Sequence, residues 1–197
     1  MPEEIHPIKI EGNWEVGYAL DVHTVSSQFL GYDELGRGMF DTERSQIGQL
    51  LYSLKYQHDK SVIAEIVRLV LKFATFKTID AIIPVPPSDI HRPSQPVLEV
   101  AQAIGARLNL PVLADVVKKI KDTPELKNVE DFKERKKILQ DAFRVDPFGA
   151  LDGKTVLLFD DLYRSGATLS SLTAVLYDQG QAKSVKVLTL TKTRSKS

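Results

Sequence analysis

The stretch "VLLFDDLYRSGATLSSL", Val156 to Leu172, holds the residues with the most chemical content. Four apolar residues run straight into two adjacent acids, Asp160 and Asp161. A polar turn with one glycine follows, and then a helix-like pattern begins. This order reads as strand, turn and helix, and open α/β sheets bind ligands beyond the carboxyl ends of their strands. Free N–H groups at a helix start, with the helix dipole behind them, attract an anion. Gly166 lets the backbone curl close to a phosphate, beside Ala167. Ser165 and Thr168 add hydroxyl donors, and Arg164 either reaches the phosphate or faces water. A phosphate beside two carboxylates is electrostatically awkward unless the acids face something else. Carboxylates accept hydrogen bonds strongly, so vicinal sugar hydroxyls suit them. Phosphate in the turn and hydroxyls on the acids together describe a ribose 5-phosphate; the alternative is that the acids hold Mg²⁺. A plain strand-to-helix turn with an Asp or Ser cap accounts for the same spacing without any ligand.

The elements that must position these residues follow from periodicity. Ile47, Leu50, Leu51 and Leu54 fall on one helix face. Ser61 is placed to cap a second helix, "VIAEIVRLVLKFATF". "AIIPV" reads as a buried strand, and "PVLEVAQAIGARLN" as a helix started by Pro96 and ended near Asn109. "DVVKKI", "KTVLLF" and "SVKVLTL" read as further strands. "VEDFKERKKILQDAF" is a charged helix or a mobile segment, and "ATLSSLTAVLYDQG" a helix with Gly180 as its αL cap. The alternation predicts an α/β fold: a mostly parallel sheet flanked by helices on both faces. "WEVGYALDVHTVSS" reads as a strand or hairpin, and "LGYDELGRGMF" as a loop. The expected organisation is an N-terminal strand and loop appendage over residues 1–45, followed by one domain over 46–197.

Composition narrows the function. The 197 residues are 43% hydrophobic, enough for a real core, and 26 basic residues balance 26 acidic ones. That balance leaves no electrostatic footprint for nucleic acid or an anionic membrane. The absence of cysteine excludes disulfides, thiolate zinc sites and a cysteine nucleophile. No G-x-x-x-x-G-K-[ST] occurs, which sets aside a P-loop hydrolase. No apolar stretch is long enough to span a bilayer, and the first residues are acidic where a signal peptide is basic. The expectation is a cytoplasmic protein.

"VLLFDDLYRSGATL" resembles the phosphoribosyl-diphosphate (PRPP) signature of type I phosphoribosyltransferases. "LLYSLKYQHD", "IIPVPPSD", "KDTPELKNVEDFKERKKILQDAFRV" and "VLTLTKTR" are similar to the ComF family, the competence-associated phosphoribosyltransferase-like proteins. The similarity runs in order over about residues 47–194. It implies a type I phosphoribosyltransferase-like fold in which Asp160 and Asp161 hold the ribose hydroxyls and stabilise positive charge developing at the anomeric carbon. It implies that Arg164, Ser165, Gly166, Ala167 and Thr168 cradle the 5-phosphate. Pro86, Pro87, Ser88 and Arg92 then belong to a pyrophosphate loop, and Lys121 and Arg135 to a basic flap within residues 118–137. Mg²⁺ is implied as the companion of PRPP, with no metal ligand of the protein named. Three departures stand out. The family's cysteine-rich zinc module is missing. Arg164 and Ser165 replace two threonines before the glycine. The stretch after the proline strand is shortened to "HRPSQP", where only Arg92 and Gln95 match the family pattern. The implied activity is phosphoribosyl transfer from PRPP to an unknown acceptor. The alternative is a non-enzymatic PRPP- or nucleotide-binding partner in DNA uptake or processing. A homodimer is left open as the assembly.

Overall fold

A computed structural model of the protein describes residues 5–73, 76–87, 94–120, 139 and 141–194. In chain order the elements are β1 (Ile8–Lys9), β2 (Val16–Val22), β3 (Thr24–Tyr32), β4 (Gly38–Arg44), α1 (Gln46–Tyr56), α2 (Ile63–Phe73), β5 (Ala81–Pro84), α3 (Pro96–Leu108), β6 (Val117–Lys119), β7 (Phe143–Val145), β8 (Thr155–Tyr163), α4 (Ala167–Asp178) and β9 (Ser184–Lys192). The central sheet has the order β1-β2-β9-β8-β5. Its β2, β9, β8 and β5 run parallel, and β1 closes the β2 edge antiparallel. This is the expected α/β class, with a mostly parallel sheet flanked by helices. No helix among the described residues is long and apolar enough to cross a membrane.

Burial on both faces explains the strand sequences. Leu157 and Phe159 of β8, with Leu20, Ile82, Leu188 and Leu190, pack against Ile47, Leu51 and Leu54 of α1, Ile66 and Leu69 of α2, and Ile104 of α3. Val156 and Leu158, with Ala19, Ile83, Val185 and Val187, pack against Leu169, Leu172 and Leu176 of α4. Strands covered on both sides read as continuous apolar runs. At about 25 cal/mol per Å², each fully buried Leu or Phe contributes roughly 1.5–3 kcal/mol.

Several local expectations differ from what is observed. "DVVKKI" does contain a strand, but β6 pairs antiparallel with β7 outside the parallel sheet. Its alternation of buried Val117 with exposed Lys118 suits a one-sided ribbon, not a strand covered on both faces. Asp59 displaces Ser61 as the cap of the second helix. Its carboxylate accepts from Ser61 N at 3.0 Å and Ser61 Oγ at 2.6 Å, and a 3-10 turn, Lys60–Val62, leads into α2. An ionised acceptor outcompetes a hydroxyl there. Gly180 is not an αL cap: Gln181 takes the positive φ, 58°. A Cβ on Gly180 would lie 2.6 Å from the Leu176 carbonyl oxygen, so the glycine answers a close approach. Pro96 and Asn109 bound α3 as expected, Asn109 in the left-handed region.

The appendage expected over residues 1–45 contains four strands. Two of them, β1 and β2, belong to the central sheet, while β3 and β4 form a hairpin of their own. The glycine-rich "LGYDELGRGMF" is the end of that hairpin and not a loop throughout, because Gly31 and Gly38 accommodate strand pairing with Met39 and Tyr32. Asp33 ties its tip, accepting from the N–H groups of Leu35 and Arg37.

The junction of hairpin, β2 and α1 is tight. Ser45 Oγ donates to the Val22 carbonyl and accepts from Gly48 N, capping α1. A Cβ on Gly48 would lie 2.2 Å from the His23 carbonyl oxygen. Gly→Ala inside a helix ordinarily stabilises by about 1 kcal/mol. Here Gly48→Ala is expected to lower the Tm instead, because a backbone oxygen cannot yield: a net loss of about 1–3 kcal/mol, or roughly 2–4 °C per kcal/mol in a thermal melt. An unchanged or raised Tm would refute this close packing of α1 on the end of β2.

Candidate functional site

The strand that carries the acids does not stop at its apolar run. β8 pairs with β9 through Asp160↔Thr189, Leu162↔Thr191 and Tyr163↔Lys192. Asp160 and Asp161, placed by the sequence at the strand's exit, therefore lie within it, because β9 offers main-chain partners that far. A strand's pleat sends successive side chains to opposite faces. Val156 and Leu158 face α4, and Leu157 and Phe159 face α1, α2 and α3. Continued by two residues, this alternation puts Asp160 on the α4 side and Asp161 on the α1 side.

Lys55, in the last turn of α1, meets Asp161. Its Nζ donates to Asp161 Oδ2 at 2.7 Å, with the side chains 25% and 14% exposed. Burial alone would lower the pKa of Lys55, but the ion pair and hydrogen bond with Asp161 raise it above the usual lysine value. The Asp161 carbonyl accepts from Thr191 Oγ1 at 3.0 Å. Asp161 Oδ1 has no hydrogen-bond partner among the described residues. His23 lies beside this group, its Nδ1 3.4 Å from Thr191 Oγ1. Burial first, and then the charges of Arg44 and Lys55, hold the imidazole below its ordinary pKa, against a smaller upward pull from Asp161. The Arg44 guanidinium lies 4.0 Å over the Tyr52 ring, one turn before Lys55.

Asp160 has a different setting. Its Oδ1 accepts from the N–H of Asp161 at 2.8 Å. The protein crowds it at the cavity mouth, and burial, then the Asp161 charge, push its pKa up to about 8. Across the ladder, the buried Thr189 hydroxyl has no hydrogen-bond partner among the described residues. A buried polar group in that condition calls for a water or a ligand.

Beyond Tyr163 the chain turns into α4. Gly166 takes the N-cap position at φ 76° and ψ 1°, and as a glycine it offers no side chain of its own to cap the helix. The first N–H groups of a helix have no partner within the helix itself. A Cβ at Gly166 would lie 2.9 Å from Cε2 and 3.0 Å from the hydroxyl of Tyr163. That ring is held edge-on by Trp14, with centroids 6.5 Å apart. Burial, then Glu11, raises the pKa of the phenol. Residues Asp160 to Leu169 line one cavity of about 210 Å³, so Asp160, Asp161, Arg164, Ser165, Gly166, Ala167 and Thr168 come together.

Two other expected site residues, Pro86 and Pro87, are not among the described residues that line that cavity. Pro86 and Pro87 are half-buried in the loop after β5, which starts beside β8 through the Val85 N–H bond to the Phe159 carbonyl. Ser88, Arg92, Lys121 and Arg135 lie outside the described residues. Lys118, at the start of the expected flap, is paired with Asp146 at 2.8 Å. Sequence reasoning missed Lys55, Thr191, Tyr163 and His23. Lys55 stands at the end of the first helical repeat, but nothing local says which strand end that turn meets.

No protein-family profile and no curated protein sequence matches this chain. Solved structures similar to it include UMP synthase from Leishmania donovani, with 16% identity and a TM-score of 0.39, over 84% of this chain and 28% of that one. Adenine phosphoribosyltransferase from Saccharomyces cerevisiae, solved with an imino-altritol bisphosphate and adenine, is 11% identical with a TM-score of 0.44, over 85% of this chain and 84% of that one. The adenine phosphoribosyltransferase of Thermoanaerobacter pseudethanolicus is 14% identical with a TM-score of 0.43, over 84% of this chain and 94% of that one.

The raised pKa of Asp160 makes stability depend on pH. Between about pH 4 and 8 the folded protein keeps a proton that the unfolded chain has released, so this group lowers stability as pH rises through that window. Asp160→Asn cannot ionise and removes the slope. Relative to wild type, its unfolding free energy is expected to gain on the order of 1–3 kcal/mol between pH 5 and pH 8.5, allowing for solvent at the cavity mouth. Paired denaturant titrations at the two pH values measure it; a constant difference would mean that Asp160 ionises freely.

Proposed function

We propose that this protein binds a phosphorylated ribose, PRPP, and belongs with the ComF-like phosphoribosyltransferases. The observation that carries the reading is one cavity lined both by the two acids of β8 and by a glycine-led helix start. The helix N–H groups, with the Ser165 and Thr168 hydroxyls, are the donors for the 5-phosphate. Arg164, exposed at the rim, adds positive charge. Asp161 Oδ1 accepts a ribose hydroxyl, and protonated Asp160 donates to or accepts from its neighbour.

In the transfer we propose, the bond from the anomeric carbon to diphosphate breaks, and both electrons leave on the diphosphate. A lone pair on an amine or ring nitrogen forms the new bond, and that nitrogen then loses a proton. The Asp161 carboxylate stabilises positive charge as it develops on the sugar. A Mg²⁺ site built from protein ligands alone is not part of this reading. One oxygen of Asp161 is taken by Lys55, and no three potential metal-ligating side chains cluster among the described residues. No step in this reading runs through a protein-bound metal; Mg²⁺ enters as a variable of the test.

Calorimetric titration with PRPP, ribose 5-phosphate and inorganic phosphate, with and without Mg²⁺, tests the binding. Ribose 5-phosphate is expected to bind more tightly than inorganic phosphate, and Asp161→Asn to cut that preference roughly tenfold, the value of one hydrogen bond to a charged acceptor. Equal affinity of the wild type for both ligands would sink the ribose reading. Pyrophosphate release with a panel of purine, pyrimidine and amine acceptors then separates an enzyme from a protein that only binds PRPP.

A further inference from the structure

An anion-binding turn beside two acids is self-defeating if both acids are charged and uncompensated. We propose that Lys55 resolves this conflict: it is a charge-balancing and positioning residue, delivered by α1, that lets the site take a sugar phosphate without a divalent cation. The inference rests on the ribose-phosphate reading and adds to it the residue that makes the acid pair compatible with phosphate.

The geometry is specific. Lys55 and Asp161 are 106 positions apart in sequence and 2.7 Å apart in space. Both side chains are largely shielded from solvent, where an ion pair is screened less than at the surface. The root of the lysine side chain is fixed, because Leu51 and Leu54 of the same helix are 1% and 0% exposed and set the rotation of α1 on the sheet. On the acid's side, the β8 ladder and the bond from Thr191 Oγ1 fix the Asp161 backbone. Lys55 takes only Oδ2, leaving Oδ1 to accept a hydroxyl. The pleat keeps this pair on the α1 side, so the ammonium neutralises Asp161 without filling the turn on the α4 side. The acid nearer that turn, Asp160, is held toward its neutral form by its surroundings. The two acids thus present hydrogen-bonding groups with less net negative charge than two unpaired carboxylates.

The surrounding charges agree with this division. Arg44 and His23 stand with Lys55 on the α1 side, while Asp160 faces α4 and the turn, where Arg164 is the cation. Losing Lys55 therefore leaves Asp161 without its ion-pair partner.

The test compares wild type, Lys55→Met and Lys55→Met/Asp161→Asn as full chains in EDTA, titrated with inorganic phosphate and with ribose 5-phosphate. Inorganic phosphate reads the charge, and ribose 5-phosphate reads charge and hydroxyl contact together. Lys55→Met is expected to weaken both at least tenfold. The double variant, in which the charge is balanced again, is expected to return inorganic phosphate to within about threefold of wild type but not to restore ribose 5-phosphate. Mg²⁺ is expected to strengthen ribose 5-phosphate binding to Lys55→Met more than to wild type. Lys55→Gln serves if the methionine variant does not fold. Phosphate affinity unchanged in Lys55→Met or Lys55→Gln, or weakened equally in the single and double variants, overturns the inference. Because it is read with inorganic phosphate, that result is distinct from failure of the ribose reading, in which wild type binds phosphate but does not prefer ribose 5-phosphate. A wild type that binds neither overturns both.

Discussion

The β8–β9 ladder sets the rest of the site. It pairs Thr155 to Tyr163 with Ser184 to Lys192, well past the last buried phenylalanine. Main-chain hydrogen bonding there holds an extended, pleated backbone through two acids that would otherwise sit in a loop. The pleat has a period of two, so neighbouring acids must part to opposite faces. One then meets the helix that follows β8, and the other meets the helices that precede it. Had the strand ended at Phe159, both acids would belong to a turn and their directions would be free.

Electrostatics makes this division useful. Two unit charges about 5 Å apart repel by about 3 kcal/mol at an effective dielectric of 20. A phosphate could not approach two such acids cheaply. The protein reduces the charge by two unlike means: crowding around Asp160, which favours its proton, and an ammonium on Asp161. The positive end of α4 adds to this from the other side, behind a glycine N-cap. Gly166 is the residue that permits the turn, both for its left-handed backbone and for the nearness of the Tyr163 ring.

The remaining elements hold these parts in place. α1 brings Lys55 to β8 because its apolar face is locked into the core shared with β2, β5, β8 and β9. The cap at Ser45 also ties α1 to the end of β2, and the short contact at Gly48 leaves no slack. Between β2 and α1, the β3–β4 hairpin carries an exposed aromatic cluster of Phe29, Tyr32 and Phe40. It contributes Arg44 to the same end of the sheet that holds Lys55 and His23.

Local patterns in the sequence carried a large part of this fold. Continuous apolar runs marked β5 and β8, because strands covered on both faces need no polar alternation. Pro96 and Asn109 marked the ends of α3 through their fixed or left-handed backbone. The residues that line the cavity, Asp160 to Thr168, were legible as one turn because they are contiguous and their hydrogen-bonding chemistry is local. Other features depend on relations that no short window contains. Whether "DVVKKI" joins the main sheet or pairs with Phe143–Val145 was a matter of which partner strand it reached. The N-terminal β2 lies in the central sheet because its parallel partner, β9, arrives more than 160 residues later. Most of all, the pairing of Lys55 with Asp161 needed the rotation of α1, the length of β8 and the pleat of the sheet to agree. A charge is visible in sequence, but the distance and dielectric that decide what it does exist only after the chain has packed.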